Sequence, residues 1–374
     1  MSQNPSDRRF PAAGQWPGAE PEAFGFDTRR LRAAVALAES AETRWPRELG
    51  SALNADPANN EPAPWNEVLG PTLDRGGPNG MIVRGGHCVA SWGDTRRVEM
   101  TFSATKSYLA IVAGLAVADG LIGSLDERLA DDSRIDGFES AQNCEISWRH
   151  LLQQTSEWEG ELWSKPDLVD RNRQVGVDAD NSRKGTHRDL GRPGSHWEYN
   201  DVRVNRLSLS LMQLFRRPLP EVLDERVMQP IGASRSWAWH GYRNAAVEID
   251  GRLLQGVPGG AHWGGGLFIA SEDHARVGWL VANDGVWAGR RLLPEGWVEQ
   301  MWTPCALKPD YGFLWWLNTN RHHYASAPES SRFMMGAGQH LVWVDPALDL
   351  VVVMRWVHAA RSDEIMAAIL AAQS

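Results

Sequence analysis

The chain has 374 residues, 43% hydrophobic and 23% charged, the balance of a globular protein long enough to bury a sizeable core. A net charge of −9 without a dominant basic patch argues against nucleic acid as a partner. No run of about 18 apolar residues is present to span a membrane, and the start has no apolar signal region, so the cytoplasm is the default compartment.

Residues 1–25, rich in Pro, Gly and Glu, are expected to lie loosely on the surface. Asp27–Thr43 reads as an amphipathic helix, with Leu31, Ala34, Val35 and Leu37 at helical spacing behind an Asp27-Thr28 cap. Ser51–Asp74 reads as a long loop. Met81–Arg84 and His87–Trp92 flank Gly85-Gly86, a tight hairpin signal. Met100–Asp119 reads as one long helix, apolar on nearly every face and therefore buried, closed by Gly120. Trp148–Gln153 and Asn205–Phe215 are expected helices. Between them, Glu157–Arg192 is polar, and reads either as a covering segment over a site or as an ordinary surface excursion. Leu267–Ala270 is a short strand before a helix capped by Ser271. Tyr311–Asn318, His340–Val344 and Leu350–Arg355 read as strands, and Asp363–Ala372 as a last helix capped by Ser362. Strands near both ends and helices in the middle predict an α+β protein. Residues 1–120 and 251–374 would form one antiparallel sheet domain, with a mainly helical domain, 121–250, inserted.

The long helix carries the chemistry. Ser103 and Lys106 are three residues apart in its first turn, on one face, where helix N–H groups lack partners and the dipole end is positive. A hydroxyl, an amine within reach and an anion-stabilising helix end are three parts of an acyl-transfer site. A Ser-x-x-Lys pattern arises about once by chance in an ordinary chain of this length. Here the only lysines are Lys106, Lys165, Lys184 and Lys308, so about a quarter of a chance match is expected. The alternative is a serine capping a buried helix with a lysine snorkelling from its first turn. No phosphate-cradling or dinucleotide-type glycine loop occurs, and no cofactor is expected. Cys88, Cys144 and Cys305 are odd in number and far apart, and adjacent His322 and His323 point apart, so no metal site is expected either.

Phe102-Ser103-Ala104-Thr105-Lys106-Ser107 resembles the nucleophile segment of the penicillin-recognising serine hydrolases. That family comprises class C β-lactamases, D-alanyl-D-alanine carboxypeptidases, and related esterases and nylon-oligomer hydrolases. Ile146–Ser156 is similar to the family's helix and turn before the active-site loop, and Pro193–Asp201 to its Tyr-x-Asn segment. Gly265-Gly266-Leu267 with Ser271-Glu272-Asp273 resembles its sheet-to-helix return. The resemblance runs from about Gly80 to Arg355 and implies a β-lactamase/transpeptidase-like fold. It assigns Ser103 as nucleophile, Lys106 as the amine that helps remove its proton, and Tyr199 as the phenol that passes that proton on. Burial of Lys106 is expected to lower its pKa and make it a base. Two departures stand out. Asp201 occupies the Asn position, and no Lys-Thr-Gly exists; its place falls to Met334-Met335-Gly336-Ala337-Gly338. The N–H groups of Ser103 and Gly336 are the expected oxyanion hole. Asp201, Trp158, Ala337 and Arg332 are the expected substrate contacts, Arg332 as a replacement for the missing lysine.

The reading that follows is a serine hydrolase acting on a small ester or amide through an acyl-enzyme. A β-lactamase or D-Ala-D-Ala carboxypeptidase is the alternative within enzymes, and a catalytically silent ligand-binding module on the same fold is the alternative outside them.

Overall fold

A computed structural model of the chain describes residues 9–55, 61–175 and 179–373. Its main sheet is antiparallel, with strands in the order Trp316–Leu317, Arg332–Gly336, His340–Asp345, Leu350–Arg355, Asn79–Arg84 and His87–Trp92. The two ends of the chain therefore meet in one sheet, joined where Asn79 pairs with Arg355 and Arg84 with Leu350. Leu350–Arg355 is buried at every position, the pattern of a central strand covered on both faces. The helix Thr28–Ser40, capped by Asp27 accepting from the Arg30 N–H, packs with Ser362–Ala371 on one face. Ser271–Ala282 packs on the other face, where Gly278 gives the close approach to Val351 and Val342. The Gly85-Gly86 turn adopts positive φ at both residues, which glycine tolerates at no steric cost.

Several expectations change. The stretch Met100–Asp119 is not one helix. Met100 ends a short strand paired with Gly266–Ile269, Phe102–Ala104 makes a tight 3₁₀ turn, and the α-helix runs over Thr105–Ala118. Asp201–Phe215 begins four residues before the expected start, because Asn200 caps it through the Arg203 N–H. Only Trp316–Leu317 of the Tyr311–Asn318 run is strand. Ser271 spends its hydroxyl on Asn79 Oδ1 instead of capping its helix, and the Ser362 helix likewise has no side-chain cap. Residues 9–18 are held down: Arg276 donates to the carbonyls of Pro11, Ala12 and Gln15, and Phe10 packs on Trp287. Residues 1–8, in the same expected loose segment, lie outside the described residues.

The polar stretch Glu157–Arg192 turns some of its charges inward. Glu157, Asp167 and Glu198 are buried and shared among Arg171, Arg188 and Arg203. A charge taken from water is tolerated only when paired, so these carboxylates bind the stretch to the Asp201–Phe215 helix. Residues 176–178 within it lie outside the described residues.

Candidate active site

Two clamps build the turn around Ser103. Thr101 donates its N–H and its hydroxyl to the Leu267 carbonyl, and Thr105 Oγ1 accepts from the Leu267 N–H. Phe102 then sits at φ +50°, a left-handed conformation costing a bulky residue about 1 kcal/mol. Its ring is fixed among Trp45, His340 and Trp356, which holds the backbone there. Phe102 and Ala104 are buried while Ser103 between them remains partly exposed, so the turn presents one hydroxyl outward. The strand Arg332–Gly336 ends against this turn. A Cβ on Gly336 would lie 2.1 Å from the Thr101 carbonyl oxygen and 3.1 Å from the Ala104 nitrogen, so only glycine permits the approach. Among the described residues, no strand pairs with the outer side of this strand beyond Phe333, because Trp316–Leu317 pairs only with Phe333 and Arg332.

Lys106 donates from Nζ to Ser103 Oγ at 3.0 Å. The same ammonium lies 4.5 Å from the centre of the Tyr199 ring and forms an ion pair with Asp201. Tyr199 is buried, stacked on Trp316 at 5.7 Å. Gln154 grips the backbone on both sides of it, accepting from the Glu198 and Asn200 N–H groups and donating to Tyr311. Ser103, Lys106, Tyr199 and Asp201 are thus brought together, with Gly336 and Ala337 at the adjoining strand end.

Asp201 is turned toward a buried charge cluster. It is buried, with Oδ1 at Lys106 and Oδ2 shared by Arg173 at 2.7 Å and His262 at 3.0 Å. Gly260 makes room for this pair; a Cβ there would be 2.2 Å from Asp201 Oδ1 and 2.7 Å from Lys106 Nζ. Burial works to raise the Asp201 pKa, but Lys106, Arg173 and His262 hold it well below the usual range. The consequence for Lys106 reverses the sequence expectation. Burial works to lower its pKa, yet Asp201, followed by Tyr199, outweighs burial and raises it above that of an ordinary lysine. The resting side chain is an ammonium.

Two expected substrate contacts lie elsewhere. Trp158 is buried in the core, its indole N–H on the Gly137 carbonyl and its own carbonyl on Arg203. Arg332 opens the strand that Gly336 closes, about 13 Å away at the rise of an extended chain. Its guanidinium is bound to the Glu329 and Ser331 carbonyls and lies over Trp302. It does not replace the missing lysine.

The residues around Asp201 come from three segments in which sequence reasoning placed no site residue, those of Glu61, Asp170–Lys184 and His262. His262 Nε2 lies 2.8 Å from Glu61, which also takes Lys184 at 2.5 Å and the Trp263 N–H at 3.0 Å. Asp170 accepts from the Asp201 N–H. Glu61, Asp170 and His262 bring ligand-type atoms within 4.8 Å of one another. They do not suit a metal, because Lys184 is already placed between the two carboxylates and both imidazole nitrogens face carboxylate oxygens.

Residues 80–372 match the Beta-lactamase family. The chain belongs to the beta-lactamase family. It is a hydrolase of that family, with the β-lactamase/transpeptidase-like α+β fold. Solved structures repeat the fold at low identity. A penicillin-binding protein homologue from Caulobacter crescentus superposes at TM-score 0.58 and 14% identity, over 93% of this chain and 99% of that one. EstCE1, described as a hydrolase with promiscuous acyltransferase activity, gives 0.57 and 14%, over 92% and 97%. A β-lactamase from Mycobacterium bovis gives 0.52 and 19%, over 79% and 94%. No curated protein matches the sequence. Among the described residues, no helix is long and apolar enough to cross a membrane.

Proposed function

We propose that this family member is a serine hydrolase that cleaves ester or small amide bonds through an acyl-enzyme on Ser103. The observation that carries the reading is the 3.0 Å contact of Lys106 Nζ with the one partly exposed hydroxyl of the Phe102–Ala104 turn, beside Tyr199. Ser103 attacks the acyl carbon as its proton leaves toward the Lys106–Tyr199 pair. The N–H groups of Ser103 and Gly336 receive the developing oxyanion. The pair returns the proton to the leaving group, and water then releases the acyl chain. An ammonium cannot accept a proton, so the competent form of the pair has already lost one, and its share grows with pH.

Small neutral substrates fit this site best. The strand end beside Ser103 reads Met-Met-Gly-Ala-Gly, without a cation to pair a carboxylate, and Arg332 is bound elsewhere. An unpaired carboxylate there loses its hydration and gains no partner. The test is hydrolysis of a short-chain p-nitrophenyl ester by wild type and Ser103→Ala. Loss of about three orders of magnitude or more in kcat is expected in a folded variant. Retained turnover would exclude Ser103, and an inactive wild type would leave the silent binding module.

A further inference from the structure

His262 is buried, with each ring nitrogen against a different carboxylate: Nδ1 3.0 Å from Asp201 and Nε2 2.8 Å from Glu61. Ionised carboxylates only accept, so both nitrogens must donate, and a ring that donates twice is an imidazolium. Its plane is set by Trp263, stacked at 4.2 Å. One oxygen of Asp201 thus faces two cations, His262 and Arg173, while the other faces Lys106. We propose that His262 is a positioning residue for the Ser103 proton transfer: its fixed charge on Asp201 limits how tightly that carboxylate holds the Lys106 proton. The inference rests on the acyl-enzyme reading, because the proton in question is the one that keeps Lys106 from serving Ser103.

The surrounding charges define the direction of the effect. Asp170 lies 3.9 Å from His262, and Lys184 reaches both Glu61 and Asp170. Lys165 lies over Trp263, and Tyr199 faces Lys106 and Arg173. Burial disfavours the imidazolium, but Glu61 and Asp170, with Asp201, raise its pKa above the ordinary histidine value. Removing this positive charge leaves Asp201 with a stronger pull on Lys106. The competent form of the Lys106–Tyr199 pair then becomes scarcer at every pH below its midpoint.

The experiment is a double-mutant cycle of Asp201→Asn and His262→Gln, read as kcat and KM across pH 6–9. In the Asp201 background, His262→Gln should lower kcat about tenfold with KM held within about twofold. In the Asp201→Asn background the same change should cost nothing, because the carboxylate it acts on is gone. A merely structural histidine would give the same loss in both backgrounds, and that result overturns the proposal. Glu61→Gln offers a second variant if the His262→Gln protein does not fold: one carboxylate fewer lets the imidazolium titrate in the working range. Its loss of kcat should then appear on the alkaline side alone, and a pH-independent loss overturns the proposal. Histidine ¹⁵N NMR of wild type, with the signal assigned by His262→Gln, tests the charge without activity. The signal should stay that of an imidazolium at pH 8. Titration with an ordinary midpoint near pH 6.5 overturns the proposal. A wild type that neither hydrolyses esters nor reacts with a fluorophosphonate would fail the acyl-enzyme reading instead, while the NMR result still decides the charge on His262.

Discussion

Lys106 shows how one neighbour decides a side chain's chemistry. Burial alone would make it a base, and one carboxylate at Asp201 makes it an ammonium. Two outcomes follow at this scale. Activity should rise with pH through the neutral range, since the pair works only after losing a proton that Asp201 helps to hold. Asp201→Asn removes that hold, so its rising limb should move to lower pH, by about one unit or more; an unmoved limb would show that Asp201 does not set the charge of Lys106. Lys106→Arg should be nearly as damaging as Lys106→Ala, because arginine keeps its proton at every usable pH. Near wild-type kcat in the arginine variant would reduce Lys106 to a fixed charge. The closeness of Ser103 and Lys106 was legible in the sequence from their three-residue spacing, and Tyr199 joined them only through the resemblance of its segment to the family's Tyr-x-Asn motif. Glu61, Arg173 and His262 were not legible, because the contacts that define them cross gaps in sequence that no local pattern encodes.

Among the elements, hairpins and central strands were readable and the nucleophile turn was not. The Gly85-Gly86 hairpin and Leu350–Arg355 announce themselves through turn chemistry and an unbroken apolar run. Phe102 gives no such signal, since a bulky residue at φ +50° is held by Trp45, His340 and Trp356 from distant parts of the chain. Nor does the polar composition of Glu157–Arg192 reveal which of its charges are buried: Glu157 and Asp167 are paired inside the protein with Arg188 and Arg203, contacts that no local pattern encodes. Gly336 joins the strand end to the turn. Gly336→Ala places a methyl 2.1 Å from the Thr101 oxygen and must push the two apart. The expected result is at least about a tenfold loss in kcat. An unaffected kcat would mean that the strand end contributes nothing to the oxyanion site.

At the scale of the whole molecule, the charge cluster links stability to pH from both sides. Burial works to raise the Glu61 pKa, but His262 and Lys184 bring it down to about 2. A depressed carboxylate stabilises the fold above its unfolded pKa, and that contribution is lost as pH falls from about 4.5 toward 2. His262 has the opposite sign. Its raised pKa stabilises the fold fully below about 6.5, and the contribution is lost as pH rises through the folded value. Tm should therefore be highest between about pH 5 and 6.5 and fall steeply in acid. Glu61→Gln should lower Tm at pH 6 and flatten the acid slope; an unchanged slope would show that other carboxylates govern it.

The central claim is that Ser103 forms the acyl-enzyme, and intact-mass spectrometry after treatment with a fluorophosphonate tests it most directly. Wild type should gain one adduct, mapped to the peptide bearing Ser103, and folded Ser103→Ala should gain none. An unlabelled wild type, or an adduct that persists in Ser103→Ala, would contradict the account.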